Sequence, residues 1–466
     1  VLDDLLPRLN CYGEKGMVTP NIDRLAREGM VFDNAYCQYA VCGPSRASFL
    51  TGLRPDTTRC YNNGNLQVRE NVPNLVTMPQ HFKNNGYESL AIGKIFHHSS
   101  TQPGDDEQSW SRPAFHPGGP GYRHYFNKET LDYMADLRKK HQAKGKKGSP
   151  RGISFEAGEH STDDQYPDGL VVARVTEALK ELKESQKPFF LGVGFQKPHV
   201  PFVCPKKYWD LYPLESIELE ETPLPEGANE FSVVDSKELR TYADIPKEGP
   251  FSPELQKNLI RGYKACVSFV DAQVGKVLDE LEKNGLMENT VIVLIGDHGY
   301  HFGDHATWGK QTNFENATRA PLIVWTPKMK NKGQHTQALV EFVDIAPTIT
   351  ELAGLPQLKA FEGKSLVPLL ENPGAPWKDA AYSQYERNTS VMGHTVRTKD
   401  YRLVQWYRRG NPPTLAAEEL YDLKKDPTEM KSVAADPSYK KVKAQLLAKL
   451  QENWKNELPP WPALQK

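Results

Sequence analysis

The chain has 466 residues, too many for one ordinary hydrophobic core and suited to a large domain with a smaller companion. Its 38% hydrophobic and 25% charged residues describe a globular protein, and no apolar run reaches membrane-spanning length. A formal net charge of −1 supplies no global field for a nucleic acid or an anionic membrane, although local charge in a pocket can still hold an anionic substrate.

Val1-Leu2-Asp3-Asp4 reads as the end of a strand whose beginning is cut off, so the lack of a targeting segment there is uninformative. Thr19-Pro20-Asn21 opens a helix through Ile22, Leu25 and Ala26 that Gly29 closes, and the strand Met30-Val31-Phe32 follows. Met78 to Asn85 predicts a helix stopped by Gly86, then a strand from Tyr87 to Ile92. From His98 to Pro167 the rhythm breaks. The basic run from Arg138 to Arg151, with Lys139, Lys140, Lys144, Lys146 and Lys147, reads as a solvated flexible loop, with a rim for a polyanionic glycan as the alternative. Val171, Val175, Leu179 and Leu182 set a helix over Asp168 to Ser185, ahead of a strand from Pro188 to Val193. Pro205 to Gly249 is a second irregular stretch, and long insertions of this kind are often functional. Pro253 to Asn284 is mostly helical and leads into the strand Thr290 to Ile295.

Apolar strands alternating with helices predict an α/β fold: a large, mostly parallel sheet covered by helices on both faces. From Trp377 the pattern changes. Ala380 to Tyr385, Gly393 to Thr398, Tyr401 to Tyr407 and Leu420-Tyr421-Asp422 read as short strands before a helix near Tyr439 to Lys455. This predicts a smaller C-terminal α+β domain with an antiparallel sheet, over 374–466, after a first domain over 1–373.

The chemistry concentrates at Cys42-Gly43-Pro44-Ser45-Arg46, which continues through Ala47-Ser48-Phe49-Leu50 into Thr51-Gly52. Proline favours a first helical position, so a helix starting near Pro44 puts Cys42 at its amino end, where unpaired N–H groups favour an anion. Arg46 follows one turn later on the same face, so both can meet one ligand. An isolated cysteine of this kind is ordinarily just a buried residue. Asp3-Asp4 and Asp297-His298 each lie at the carboxyl end of a strand, where ligands of open α/β sheets gather. Carboxylates suit a hard cation such as calcium or magnesium. Gly93-Lys94-Ile95-Phe96-His97, Lys197-Pro198-His199 and Gly303-Asp304-His305 through Trp308-Gly309-Lys310 add cations after strands; each alone is more often a surface lysine or a hydrogen-bonded histidine. The five cysteines besides Cys42 include no CxxC pair and indicate neither a zinc site nor a disulfide framework.

The Cys-x-Pro-Ser-Arg string with its trailing Thr-Gly resembles the modification motif of the formylglycine-dependent (type I) sulfatases. Pro20-Asn21-Ile22-Asp23, Arg54 to Thr58, Lys197 to Phe202, Ala381 to Tyr385 and Met392-Gly393 with Arg397-Thr398 are similar to the iduronate-2-sulfatase branch of that family. His298, in place of the asparagine of many members, and the three-residue spacing of Lys94 and His97 fit the same branch.

The resemblance implies an alkaline-phosphatase-like sandwich and hydrolysis of a sulfate ester. It implies that Cys42 is converted to formylglycine by a formylglycine-generating or anaerobic sulfatase-maturing enzyme. A thiolate attacking a sulfate ester would leave a stable thiosulfate, whereas an aldehyde hydrate can expel sulfate. It further implies one divalent cation, calcium, on Asp3, Asp4, Cys42, Asp297 and His298. Arg46 and the cation would hold the hydrate, and Lys94 and Lys310 would bind the sulfate. His199, or Lys310 beside it, would protonate the leaving alcohol, and His97 would take the last proton. Tyr300, Trp308 and His394 are candidate sugar contacts. A secreted, periplasmic or lysosome-like location is expected.

The implied substrate is a sulfated oligo- or polysaccharide, led by a 2-O-sulfated uronic acid cleaved in an exo-acting mode. A sulfated algal glycan, a phosphate or phosphonate ester, and a catalytically dead glycan-binding role are the alternatives.

Overall fold

The computed structural model describes residues 1–63, 68–97, 106–117, 125–145, 150–410 and 413–453. The strands of its large sheet are β1 (Leu2–Asp3), β2 (Met30–Tyr36), β3 (Glu88–Gly93), β4 (Phe189–Pro198), β5 (Ile292–Ile295), β6 (Leu322–Trp325) and β7 (Gln334–Glu341). Their order is β7-β2-β6-β5 and then β1-β4-β3, the two halves meeting at a parallel bridge between Leu2 and Gly296. β6 runs antiparallel to β2 and β5, and the other pairs are parallel. The exception has a topological cause: a loop rather than a crossover helix joins β5 to β6, and that loop carries Asp297 to Lys310.

Among the described residues the longer helices are α1 (Pro20–Glu28), α2 (Cys42–Thr51), α3 (Met78–Asn84), α4 (Lys128–Ala143), α5 (Pro167–Ser185), α6 (Pro253–Lys283), α7 (Ile345–Leu352) and α8 (Lys440–Asn453). α1, α5 and α6 pack on one face of the sheet, around Val171, Val175, Leu259 and Phe269. α2, α3 and α7 pack on the other, around Phe49, Phe82 and Ile345. Both faces are therefore dry, which is why the strands read as apolar runs rather than as alternations.

The C-terminal sheet is a meander of β8 (Ala380–Arg387), β9 (Val391–Thr398), β10 (Tyr401–Arg408) and β11 (Thr414–Asp422), all antiparallel. α8 covers it through Leu446 and Leu450. Lys455, the expected end of that helix, lies outside the described residues.

The basic stretch departs from the flexible-loop expectation. Lys128–Ala143 is a helix, with Glu129 in its first turn and Lys140 and His141 in its last, each sign matching the helix dipole. Lys128–Asp132 and Lys140–Asp136 are i,i+4 pairs, and Met134 is the one helix residue fully buried. So narrow an apolar stripe leaves almost no periodic signal in the sequence. Lys146 and Lys147 lie outside the described residues.

One close approach sets the geometry above the sheet. Gly93 ends β3 at φ +81°, and a Cβ there would lie 2.0 Å from the Gly194 carbonyl. A Cβ on Gly194 would lie 2.0 Å from the Lys94 carbonyl. Only a pair of glycines lets the two backbones touch, with Lys94 N donating to Gly194 O over 2.9 Å.

Candidate active site

At the carboxyl end of β1, Asp3 and Asp4 are both buried, and Asp4 adopts a left-handed backbone at φ 63°. Tyr263 of α6 holds that turn, donating to the Asp4 carbonyl over 3.0 Å and accepting from Leu6 N over 2.8 Å. Asp4 N in turn donates to Asp297 Oδ1 over 2.9 Å, so the acidic pairs from β1 and β5 are locked together.

α2 points its amino end at this pair. Val41 is the N-cap residue, and Asn63 Oδ1 accepts from Gly43 N over 2.8 Å. Cys42 is 1% exposed. Its Sγ lies 3.3 Å from His298 Nε2, 3.5 Å from Lys310 Nζ and 3.9 Å from Asp4 Oδ1. Burial and then the neighbouring Asp3 push the thiol well above its ordinary range, so the encoded cysteine is a neutral thiol and a poor nucleophile.

Arg46, one turn after Cys42 in α2, reaches both acidic pairs. Its guanidinium donates to Asp3 Oδ1 over 3.0 Å, Asp297 Oδ2 over 2.9 Å, the Ile95 carbonyl over 3.0 Å and the Lys94 carbonyl. These bonds make Arg46 the brace behind the carboxylates. Lys94 pairs with Asp3, and Lys310 Nζ lies 2.7 Å from Asp4 Oδ1. Burial alone would raise the Asp3 carboxyl, but Lys94, His199 and Arg46 outweigh it and hold it well below the carboxylate range.

His199 presents Nε2 3.9 Å from Asp4 Oδ2, while its Nδ1 meets the Val200 carbonyl at 2.5 Å. Asp168 fixes this loop by accepting from Gln196 N over 2.7 Å and Lys197 N over 2.9 Å. Burial lowers the His199 pKa against the opposing pull of Asp4 and Glu238. Burial and then Lys94 hold His97 down to about 2, so its imidazole is neutral, and its buried Nδ1 has no hydrogen-bond partner among the described residues.

The remaining predicted contacts surround this cluster at a distance. Tyr300 is 2% exposed and stacks on Tyr263 at 6.4 Å. Trp308 packs against Phe251 at 5.3 Å and Phe302 at 5.9 Å. His394 sits in β9, 6.1 Å from Tyr407, and Asn313 of the Lys310 loop donates to the adjacent Gly393 carbonyl over 3.4 Å. Asp304 steadies that loop by accepting from His301, from His305 over 3.2 Å and from Asn316 over 2.7 Å.

Glu238, in the irregular 205–249 stretch, was not legible as a site residue. Its carboxylate lies 3.5 Å from both His199 Nε2 and Lys310 Nζ, and 30% of its side chain remains exposed. Burial would raise its pKa, but Lys310, His199 and Arg151 bring it down to about 2. Asp168 and Asn63 were also not legible, because they act on backbone groups and no motif spacing marks them.

The donor set fits a divalent cation. His298 Nδ1 contacts the Gly299 carbonyl at 2.9 Å, so Nδ1 carries the proton and Nε2 presents a lone pair. That lone pair faces Asp4 Oδ1 at 3.4 Å and Asp297 Oδ1 at 3.7 Å. Buried carboxylate oxygens and an imidazole nitrogen converging this closely form a set that can hold a cation, and the carboxylates suit a hard one.

The family profile described as Sulfatase matches residues 1–355. This chain belongs to the sulfatase family. A second profile, the C-terminal region of N-sulphoglucosamine sulphohydrolase, matches residues 303–456. The sulfatase is 34% identical to an iduronate 2-sulfatase of Mus musculus, over 94% of this chain and 90% of that one. It is 36% identical to a sulfatase of Formosa agariphila, over 94% and 83%. A solved structure holding D-glucosamine-2-N,6-O-disulfate as substrate superposes with a TM-score of 0.71 at 24% identity, covering 98% of this sulfatase and 97% of that chain. The protein is thus a sulfate ester hydrolase with the alkaline-phosphatase-like fold, and its family implies a divalent metal and a formylglycine modification. Among the described residues no helix is long and apolar enough to cross a membrane.

Proposed function

We propose that this sulfatase removes sulfate from a carbohydrate, with a 2-O-sulfated uronic acid at the end of a glycosaminoglycan-type chain as its substrate. The observation that carries this reading is the cup of two ammonium groups, Lys94 and Lys310, with the His199 imidazole beside them around Cys42, in a chain 34% identical to an iduronate 2-sulfatase.

On this reading Asp3, Asp4, Asp297, His298 and the residue at position 42 would hold one calcium ion, and Cys42 would be converted to formylglycine by a maturing enzyme. When bound, such an ion would supply Lewis-acid polarisation of a sulfate oxygen, and the hydrated aldehyde would supply the hydroxyl for attack. Lys94 and Lys310 bind the sulfate oxygens, countering the charge that gathers in the transition state. His199 protonates the leaving sugar oxygen from Nε2 in its imidazolium form, which the charge of the bound sulfate favours against burial, and Lys310 is the second donor within reach; a positioned acid contributes about 10²- to 10⁴-fold. His97, held neutral, accepts the proton of the other hydroxyl. In sum the ester S–O bond breaks, the sugar oxygen takes one proton of water, and sulfate leaves with the oxygen of that water. Arg46 is a positioning residue, keeping Asp3 and Asp297 in place.

Tyr300, Trp308 and His394 line the approach for the sugar. Residues 1–373 form the catalytic domain and 374–466 the small C-terminal one. A secreted, periplasmic or lysosome-like compartment fits the chemistry of such substrates.

The test is sulfate release from a 2-O-sulfated uronate disaccharide, a sulfated algal oligosaccharide, an aryl sulfate and an aryl phosphate. The protein should come from a host in which the Cys42 peptide has exchanged its sulfur and two hydrogens for one oxygen. Fastest turnover of the uronate disaccharide is expected. Preference for the algal sugar or for the phosphate would sink the reading.

A further inference from the structure

The two irregular stretches of the sequence brace each other at the mouth of the site. Ala243 N donates to the Gly152 carbonyl over 2.8 Å, and Ser154 N donates to Asp244 Oδ1 over 2.8 Å. This pairing fixes Arg151 beside Tyr242. The guanidinium lies over the Tyr242 ring, 5.3 Å from its centroid, and NH1 donates to the Tyr242 hydroxyl over 3.2 Å. The same NH1 is 3.6 Å from Glu238 Oε1. Glu238 is the carboxylate that reaches inward to His199 and Lys310 at 3.5 Å each.

Charge therefore alternates outward from the reacting centre: the inner cations, then Glu238, then Arg151. The inner ammonium and imidazole are nearly closed to solvent, at 5% and 7% side-chain exposure, whereas Arg151 is 35% exposed. A sulfated sugar entering with its sulfate on the inner cations must lay its ring across Glu238. That carboxylate accepts hydrogen bonds from ring hydroxyls, and by itself it repels any further anion on the sugar. Arg151 reverses that effect one carboxylate's width away. A planar fork held on an aromatic face is pre-organised for a carboxylate or a sulfate, losing little freedom when it binds.

We propose that Arg151 is a specificity-determining residue that reads a second anionic group on the same sulfated sugar or its neighbour, with Glu238 accepting the hydroxyls between. This rests on the carbohydrate sulfatase reading above and adds to it which side chain selects a doubly charged substrate. A ring carboxylate and a second sulfate share the chemistry that Arg151 recognises.

The experiment compares three substrates: a 2-O-sulfated uronate disaccharide, its carboxyl-reduced counterpart, and the reduced form carrying a second sulfate. The wild type is expected to favour the doubly anionic substrates. In Arg151→Gln the ratio of kcat/KM for doubly over singly anionic substrate should fall by about 10- to 100-fold, the size of a hydrogen bond to a charged group. The loss should appear in KM, and Arg151→Lys should recover part of it. Loss confined to the carboxylate pair identifies the uronate, and loss confined to the disulfated substrate identifies the second sulfate. Equal loss on all three would make Arg151 a mere support for Glu238 and overturn the proposal. If Arg151→Gln does not fold, a wild type indifferent to the second charge overturns it equally. A wild type that cleaves the disulfated but not the uronate disaccharide removes the uronate reading and leaves Arg151 its role. Turnover of an aryl sulfate alone removes both.

Discussion

Arg46 Nε donates to Asp297 Oδ2 over 2.9 Å, and neither side chain touches solvent. The same guanidinium holds Asp3 at 3.0 Å, so one cation supports carboxylates from two strands. Arg46→Met would take the guanidinium from Asp297 and leave Asp3 with Lys94, in a dry environment where breaking a buried pair costs about 3–5 kcal/mol. Arg46→Lys should fail almost as badly, because one ammonium cannot span both carboxylates and the Lys94 and Ile95 carbonyls. Urea denaturation checks this. A stability close to that of the wild type in either variant would contradict the bracing role.

The contact between Gly93 and Gly194 makes a second prediction. In Gly194→Ala the new methyl meets the Lys94 carbonyl at 2.0 Å, and backbone cannot swing aside as a side-chain tip can. The strands must part, costing about 1–3 kcal/mol in the manner of an overpacked core. The shift also carries Lys94 away from Asp3, so kcat/KM should fall even at temperatures where the variant is fully folded. Full activity with lowered stability would show that Lys94 tolerates displacement.

Chelation tests the donor set directly. With no cation bound, Asp3, Asp4 and Asp297 keep Lys94, Lys310 and Arg46 as partners, so the chain should stay folded with a lowered Tm. An ion at a hundred times its Kd contributes about 2.7 kcal/mol, and re-addition of calcium should restore the Tm in proportion. A Tm unmoved by chelator would contradict cation binding at Asp4, Asp297 and His298.

Acid stability should depend on Glu341. Burial would raise this carboxyl, but Arg54 at 2.7 Å and Lys378 at 2.7 Å outweigh it and hold it at about 2, against an ordinary 4.5. Above pH 4.5 both folded and unfolded states are ionised and the stabilisation is complete. As pH falls from 4.5 towards 2 the unfolded chain takes up a proton that the folded one refuses, and stability declines. Glu341→Gln should be less stable at neutral pH and show a shallower decline over that window. Parallel pH curves for the two proteins would contradict this.

Much of the site was legible because its chemistry sits in short local strings at strand ends. Asp3-Asp4, Cys42 to Arg46, Asp297-His298 and Lys310 each follow a strand or start a helix whose period is clear, and the fold brings them within one cluster. What stayed hidden acts between irregular segments. Glu238 and Arg151 meet only because Gly152 and Ser154 pair with Ala243 and Asp244, and backbone pairing between loops has no periodicity to read. α4 was missed because its buried stripe is essentially Met134. The hydrogen bonds of Arg46 to Asp3 and Asp297 were not legible either, because helical spacing relates it to Cys42 and says nothing of carboxylates on other strands.

Cys42 lies at the foot of the cup, 1% exposed and enclosed by His298, Lys310 and Asp4. Another protein cannot reach that sulfur while α2 is packed. Any enzyme that alters it must grip the segment as an extended peptide, before the strands bearing Asp3 and Asp297 close over it. The timetable of biosynthesis then decides the outcome. On the proposed reading, a chain that folds ahead of a maturing enzyme would keep its thiol closed off until it unfolds.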